Sequence, residues 1–214
     1  MSSDRIGTTS CGDQSVEFFD RQFQRQIREG ETALNPFEEV ALPHLHGHVL
    51  DFGCGMGNLA VAAARRGCIV TALDASATAI AHLRQRAGQE LLAIDAKQAD
   101  LRGHRVTEEF DAIVSIGLLM FFDCATAYRC LENLQAQVRG GGIAVVNALI
   151  EGTTYLDMFA PAGHCLFPRA ELEQRFVGWE IVHSGQRDFL VAPDKLKSFA
   201  TVIARKPVAP LNPA

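Results

Sequence analysis

Residues 49–66 constrain the fold of this chain more than any other stretch of its sequence. An apolar run is followed by three glycines at alternate positions, Gly53, Gly55 and Gly57, and then by the alanine-rich segment 59–66. This order predicts a buried strand, a glycine-rich turn and a helix. Glycines at such a turn let the backbone approach a ligand beside the positive end of the helix dipole. We therefore expect a nucleotide-like small molecule to bind here.

The residues around the glycines discriminate between two kinds of nucleotide site. A nicotinamide-dinucleotide fingerprint, Gly-x-Gly-x-x-Gly, requires a glycine where this chain has Asn58. Asp51 precedes the glycines, and a second apolar run ends in Asp74, about twenty residues after them. A carboxylate at that place can accept hydrogen bonds from both hydroxyls of a ribose. The dinucleotide site is therefore disfavoured, although it stays an alternative.

Length, charge and hydropathy limit the classes of protein to consider. The 214 residues suffice for one well-buried domain, and 48% hydrophobic with 21% charged residues is a globular composition. A formal net charge of −5 offers no basic field for phosphates, so nucleic acid is not an expected partner. Without a leader-like start or an apolar stretch of roughly 18 residues, we expect a cytoplasmic protein without a membrane contact.

Strands and helices alternate along the middle of the chain. Strands are expected from residue 49 and at 69–74, 94–99, 110–116 and 143–149, and helices at 59–66, 76–91 and 123–138. The three consecutive glycines at 140–142 are expected to stop the last helix. This alternation predicts a parallel sheet with right-handed crossovers, and a ligand crevice at the carboxyl ends of its strands.

The N-terminal part departs from this alternation. We expect a disordered tail over residues 1–14 and a helical segment over 15–42, broken near Gly30 and Asn35-Pro36. The helical segment is either a lid over the glycine turn or a cap on the sheet.

The C-terminal part also differs. A short helix at 169–176 lies before two apolar runs, 179–184 and 198–204, that lack a full helix between them. They predict an antiparallel hairpin added to the sheet edge, with a frayed tail over 207–214.

Several segments resemble the tellurite-resistance type of class I S-adenosylmethionine-dependent methyltransferases. They are the glycine motif from Asp51 to Asn58, Leu118-Leu119-Met120-Phe121-Phe122, Phe167 to Glu180, and Phe199 to Lys206. The glycine motif is characteristic of the superfamily, and the later, mostly apolar motifs identify the subfamily.

The resemblance implies a fold, a cofactor and a class of substrate. The fold is Rossmann-like, α/β, with a mostly parallel seven-stranded sheet, an antiparallel C-terminal hairpin and helices on both faces, in one domain over 15–206. The cofactor is S-adenosylmethionine. The acceptor is a small molecule, with a thiol or a selenium or tellurium species as candidates.

The resemblance also assigns residues to the cofactor. Glycines 53, 55 and 57 would surround its methionine part, Asp74 would hold the ribose hydroxyls, and Asp100 with Leu101 would frame the adenine. The segment Ser115 to Gly117 would lie beside the sulfonium. The full implied set is Asp51, Gly53, Cys54, Gly55, Gly57, Asp74, Ala75, Asp100, Leu101, Ser115, Ile116 and Gly117.

Histidines and a tyrosine supply the candidates for acid–base chemistry. His164 and Tyr155 follow the fifth strand, at the edge where the crevice is expected, and are candidate acceptor-site residues. His44, His46 and His48 alternate in the manner of metal ligands, but they precede the first strand, away from the crevice. A solvated loop is the favoured interpretation, and no metal is expected.

The six cysteines form no C-x-x-C pair. Most of them are expected to be reduced core or surface thiols. Cys124 and Cys130 follow the fourth strand and would be redox-active or metalloid-binding if they faced the crevice. Their spacing of six residues does not favour one helix face, so an ordinary structural role is preferred.

Three functions stay open at this point. The leading hypothesis is methyl transfer from S-adenosylmethionine to a small acceptor. A nicotinamide-dependent oxidoreductase and a cofactor-binding protein without catalysis are the alternatives.

Overall fold

The structure is a computed structural model that describes residues 11–159 and 163–208. The helices are α1 (Cys11–Glu29), α2 (Pro36–Ala41), α3 (Asn58–Arg65), α4 (Ala77–Glu90), α5 (Cys124–Ala136) and α6 (Glu171–Gln174). The strands are β1 (His48–Phe52), β2 (Ile69–Asp74), β3 (Ile94–Gln98), β4 (Phe110–Ile116), β5 (Val138–Leu149), β6 (Glu180–Ala192) and β7 (Lys195–Arg205). None of these helices is both long and apolar enough to cross a bilayer.

The seven strands form one sheet in the order β3-β2-β1-β4-β5-β7-β6. Strands β1 to β5 pair in parallel, whereas β7 runs antiparallel to both β5 and β6. The predicted parallel sheet and the antiparallel C-terminal hairpin are both confirmed. Strand order reverses between β1 and β4, which is the place where open α/β sheets form a ligand crevice.

Side chains on the two faces of the sheet pack into separate cores. Leu50 and Phe52 of β1 pack on the same side as Leu131 of α5, whereas Val49 packs on the other side with Leu59 of α3. This alternation follows from the two-residue period of a strand. Helices therefore cover both faces, and β1 is buried from each side.

Local signals place several helix ends correctly. Ser76 caps α4 by accepting a hydrogen bond from the Ala79 backbone at 3.0 Å. The break between α1 and α2 falls at Gly30, whose φ is +68°, and α2 begins in a capping box at Asn35. Both expected breaks in the N-terminal segment are confirmed.

The role predicted for the glycines at 140–142 is wrong. Helix α5 ends at Ala136, and these glycines lie inside β5, which begins at Val138. A Cβ atom on Gly142 would stand 2.7 Å from the backbone oxygen of Asp111 on β4. The glycines therefore permit close strand pairing at an irregularity in the β4–β5 register.

The boundaries at both ends of the chain also need correction. Helix α1 begins at Cys11, so residues 11–14 are helical rather than part of a tail. The remainder of the predicted N-terminal tail, and the C-terminal tail from residue 209, lie outside the described residues. Strands β6 and β7 are much longer than expected and are joined directly at Pro193-Asp194.

The expectation that most cysteines are reduced fails for one pair. Cys124 and Cys165 form a disulfide with a Cα–Cα distance of 4.7 Å. Cys54, Cys68 and Cys130 are free. The disulfide joins the start of α5 to the loop after β5, where the Cys165 backbone also donates to the Met120 carbonyl at 3.0 Å.

Reduction of this disulfide should destabilise the protein. A cross-link that closes a loop of 41 residues typically contributes about 2–4 kcal/mol. Thermal unfolding of the wild type with and without a thiol reductant, and of Cys124→Ser, should show the same loss of several degrees. Cys130→Ser keeps the disulfide and should respond to reductant as the wild type does. A Cys124→Ser protein that melts with the oxidised wild type would contradict this prediction.

Candidate functional site

A cavity of about 310 Å³ opens at the carboxyl ends of β1, β2 and β4. The loops after β1, β2, β3 and β4 form its floor, and the N-terminal segment covers it. Most residues predicted to bind the cofactor line this cavity: Asp51, Gly53, Cys54, Gly55, Asp74, Ala75, Asp100, Leu101, Ile116 and Gly117. The structure thus brings together segments that are up to 66 residues apart in the chain.

The glycine loop is held at the end of β2 by its own backbone. The amides of Gly53 and Cys54 both donate to the carbonyl of Leu73, at 2.8 and 3.0 Å. Gly53 and Gly55 have positive φ values of 86° and 49°, a region that other residues rarely adopt. A Cβ atom on Gly53 would stand 2.8 Å from Leu118, so this glycine allows the wall after β4 to close over the loop.

Two residues of the implied set lie elsewhere. A Cβ atom on Gly57 would stand 2.5 Å from the Leu83 side chain, and Gly57 lies outside the cavity lining. This third glycine permits α3 to pack against α4. Ser115 is fully buried within β4, where its hydroxyl has no hydrogen-bond partner in the described structure, and it does not line the cavity.

Asp74 ties two parts of the site together. Its Oδ2 accepts from the Gly55 amide at 2.8 Å, and its Oδ1 accepts from the Ser76 amide at 2.9 Å. Each carboxylate oxygen retains a further lone pair. Burial raises the pKa of Asp74, and the backbone hydrogen bonds from Ser76 and Gly55 oppose that shift.

Asp51 is the most unusual group of the site. Its side chain is 5% exposed, and its Oδ2 has no hydrogen-bond partner in the described structure. Burial, followed by the nearby charges of Glu38 and Asp74, raises the pKa of Asp51 to about 8. Leaving a buried carboxylate oxygen without a donor is costly, so a donor or cation from a ligand would stabilise it.

The charge of the cavity favours a cationic ligand. Four carboxylates line it, those of Glu38, Asp51, Asp74 and Asp100, and Arg102 is the one basic residue in its described lining. Arg102 donates to the Phe121 carbonyl at 3.2 Å and lies over the Phe122 ring. The excess of acidic groups in a partly enclosed space attracts positive charge.

Helix α1 covers the cavity with one apolar face. Phe19 and Phe23 line the cavity, and the Phe19 ring meets the Phe121 ring edge-on at 4.9 Å between centroids. Asp20, on the same helix, accepts a hydrogen bond from the Ser76 hydroxyl. Sequence reasoning missed these residues as parts of the site, although the spacing of four between the two phenylalanines signals one helix face.

The two candidate acid–base residues do not line the cavity. His164 stacks on Phe159 with ring centroids 4.8 Å apart, and Phe159 in turn contacts Phe121, which lies in the cavity wall. Tyr155 lies under Lys195 and Lys197, with ammonium-to-ring distances of 5.6 and 4.6 Å. His164 is thus separated from the cavity wall by the Phe159 ring. Tyr155 makes cation–π contacts with the two lysines.

The remaining candidates have local structural roles. The His48 ring is 3.0 Å from the Thr71 hydroxyl and contacts the Phe110 ring. No group of three or more His, Cys, Asp or Glu residues suited to a metal occurs within residues 11–159 and 163–208. Burial raises the pKa of Cys130 to about 12, so this thiol carries little thiolate at neutral pH.

Comparison with known sequences gives the family of the central segment. Residues 49–142 match the family model described as a methyltransferase domain. The chain is 27% identical over 165 residues to Hemagglutinin 1 of Eikenella corrodens, covering 74% of the chain and 54% of that protein. It is 28% identical over 166 residues to "Probable S-adenosyl-L-methionine-dependent methyltransferase TehB" of Haemophilus influenzae, covering 74% and 57%. The chain therefore spans about half the length of these curated relatives.

Solved structures share the fold of most of this chain. The crystal structure of TehB from Haemophilus influenzae matches with a TM-score of 0.72 at 23% identity, covering 90% of this chain and 67% of that one. The N-methyltransferase NodS of Bradyrhizobium japonicum, solved with S-adenosyl-L-homocysteine, matches with a TM-score of 0.68 at 18% identity, covering 91% and 99%. At these identities the likeness establishes the fold.

The buried Asp51 carboxylate predicts a pH-dependent stability. Because its pKa rises from 3.8 to about 8 on folding, its contribution to stability is fully present below pH 3.8 and is lost as pH rises through 8. Asp51→Asn does not titrate, so its melting temperature should increasingly exceed that of the wild type between pH 5 and 9. We expect a gain of roughly 5 °C or more at pH 9, since one pKa unit corresponds to about 1.4 kcal/mol. A difference that does not vary with pH would contradict the shift.

Proposed function

We propose that the chain, whose residues 49–142 match a methyltransferase domain, is a class I S-adenosylmethionine-dependent methyltransferase of the tellurite-resistance type. It transfers the methyl group of S-adenosylmethionine to a small acceptor bearing a soft nucleophilic atom. The carboxylate of Asp51 carries this proposal. It is buried, its Oδ2 has no hydrogen-bond partner in the described structure, and Asp51 lines a cavity of small-molecule size together with three further carboxylates. A cofactor with a sulfonium and an ammonium group matches that charge.

The residues of the cavity fit the parts of the cofactor. Asp74 keeps lone pairs that would serve the two ribose hydroxyls, and Asp100 with Leu101, which also line the cavity, would frame the adenine. The first residues of α3, Asn58 and Leu59, line the cavity at a helix N-terminus, which suits the cofactor carboxylate.

The residues after β4 favour an acceptor whose nucleophilic atom has a free lone pair at neutral pH and needs no general base. When bound, S-adenosylmethionine supplies an electrophilic methyl group on a sulfonium. Leu118, Phe121 and Phe122 exclude water from this side and hold an acceptor close. The described lining contains no histidine or tyrosine to remove a proton. A thiolate or a reduced selenium or tellurium species needs no such residue.

Asn58, which stands where a dinucleotide fingerprint would have a glycine, has a structural role of its own. Its amide donates to the Ala33 carbonyl at 3.2 Å and accepts from Arg86 at 2.7 Å, so it ties α3 to the N-terminal segment and to α4. The family match gives no support to a nicotinamide-dependent oxidoreductase. A cofactor-binding protein without catalysis differs from the proposed enzyme only in turnover, which the acceptor experiment below measures.

Asp74→Asn should weaken S-adenosylmethionine binding by about tenfold or more, because hydrogen bonds to a charged group contribute about 1.5–3 kcal/mol. Isothermal titration measures the affinity. Asp95→Asn, which removes an exposed carboxylate from β3, is the matched control and should bind as the wild type does. Unchanged affinity in folded Asp74→Asn would remove Asp74 from the ribose site.

The acceptor is tested by following S-adenosylhomocysteine release with thiols, selenite, tellurite and small nitrogen or oxygen acceptors. We expect turnover with a soft acceptor and, at saturating cofactor, a rate that follows only that acceptor's own ionisation with pH. His164→Ala and Tyr155→Phe should retain nearly the wild-type rate. A loss of about 10²–10⁴-fold in either variant is typical of a missing general base and would overturn the proposed chemistry. Cofactor binding without turnover on any acceptor would favour the non-catalytic alternative.

A further inference from the structure

Glu38 places a carboxylate in the cavity from outside the glycine motif. It lies in the first turn of α2 and lines the same cavity as Asp51. A capping box fixes its position: Asn35 Oδ1 accepts from the Glu38 amide at 3.0 Å, and Glu38 Oε2 accepts from the Asn35 amide at 2.7 Å. The two capping-box hydrogen bonds therefore hold the Glu38 side chain in place at the edge of the cavity.

Helix α2 is itself anchored to the rest of the domain. The ring of Phe37 lies 4.8 Å from that of Phe199 on β7 and 5.7 Å from that of Phe189 on β6, measured between centroids. The C-terminal hairpin therefore supports the helix that carries Glu38. A substitution of the Glu38 carboxylate alone leaves these packing contacts in place.

The capping box does not require a negative charge. Glutamine also serves at this position of a capping box, whereas a carboxylate near Asp51 introduces repulsion. Burial raises the pKa of Glu38, and the charge of Glu38 contributes to the raised pKa of Asp51. No salt bridge in the described parts of the chain involves either residue. Two neighbouring carboxylates without a cation are unfavourable in a partly enclosed cavity.

We propose that Glu38 and Asp51 together bind the α-ammonium group of the cofactor, so that Glu38 is a cofactor-binding residue supplied by the N-terminal segment. The assignment rests on the proposed function. An ammonium group offers three N–H donors and can serve both carboxylates at once, including the unpartnered Oδ2 of Asp51. The sulfonium has no N–H group and leaves that oxygen without a donor.

The proposal is tested with two ligands that differ only in the ammonium group: S-adenosylhomocysteine and its analogue without the α-amino group. Glu38→Gln keeps the capping acceptor but removes the charge. By isothermal titration it should bind S-adenosylhomocysteine about tenfold to a hundredfold more weakly than the wild type. Its affinity for the desamino analogue should equal that of the wild type. Glu39→Gln, the exposed neighbour on α2 that lies outside the cavity lining, should bind both ligands as the wild type does.

A second variant guards against a folding effect. Asp51→Asn should show the same selective loss for the ligand with the ammonium group. Circular dichroism and the melting temperature without ligand establish that each variant is folded. An equal loss for both ligands, or no loss for either, would overturn the assignment of Glu38. A wild-type protein that binds neither ligand would instead refute the proposed function, and the assignment with it.

Discussion

The buried carboxylate of Asp51 is the constraint around which the rest of the site is arranged. It lies on β1, which is paired with β2 on one side and β4 on the other and is covered on both faces. A carboxylate oxygen in that position without a donor reduces the stability of the ligand-free protein. The fold retains this unfavourable group at the point where the strand order reverses, and functional sites commonly show such perturbed groups.

The parts of the chain outside the alternating strands and helices complete the cavity. Helix α1 covers it through Phe19 and Phe23, and α2 contributes Glu38. The C-terminal hairpin supports α2 through the ring contacts of Phe37. The disulfide between Cys124 and Cys165 joins the start of α5 to the loop after β5. The loops at the end of the central sheet form the floor of the cavity, and α1 and α2 cover it.

Much of the fold could be predicted because its signals are local. The apolar runs that became β2 and β4 have the same limits in sequence and structure, and Ser76 marks the start of α4 by its capping chemistry. The glycines at 140–142 were misassigned because their role depends on the approach of β4, which the local sequence does not contain. Tertiary pairing overrode a strong local stop signal.

The same distinction applies to the site. Residues at the end of a strand or directly after it, such as Asp74 and Gly117, reach the cavity because parallel strands end at one edge. The roles of Gly57 and Glu38 depend on which distant side chain lies opposite each of them. The pairing of Cys124 with Cys165 depends on how the loop after β5 approaches the start of α5. Neither periodicity nor spacing carries that information.

We expect the positive charge of the cofactor to stabilise the ionised form of Asp51, a carboxyl group that is largely protonated at pH 7 in the ligand-free protein. Titration of S-adenosylhomocysteine at pH 7 in two buffers of different ionisation enthalpy counts the protons released on binding. With a pKa of about 8 for Asp51, the account predicts release of close to one proton by the wild type and of markedly less by Asp51→Asn. Binding by the wild type without proton release, or with proton uptake, would contradict it.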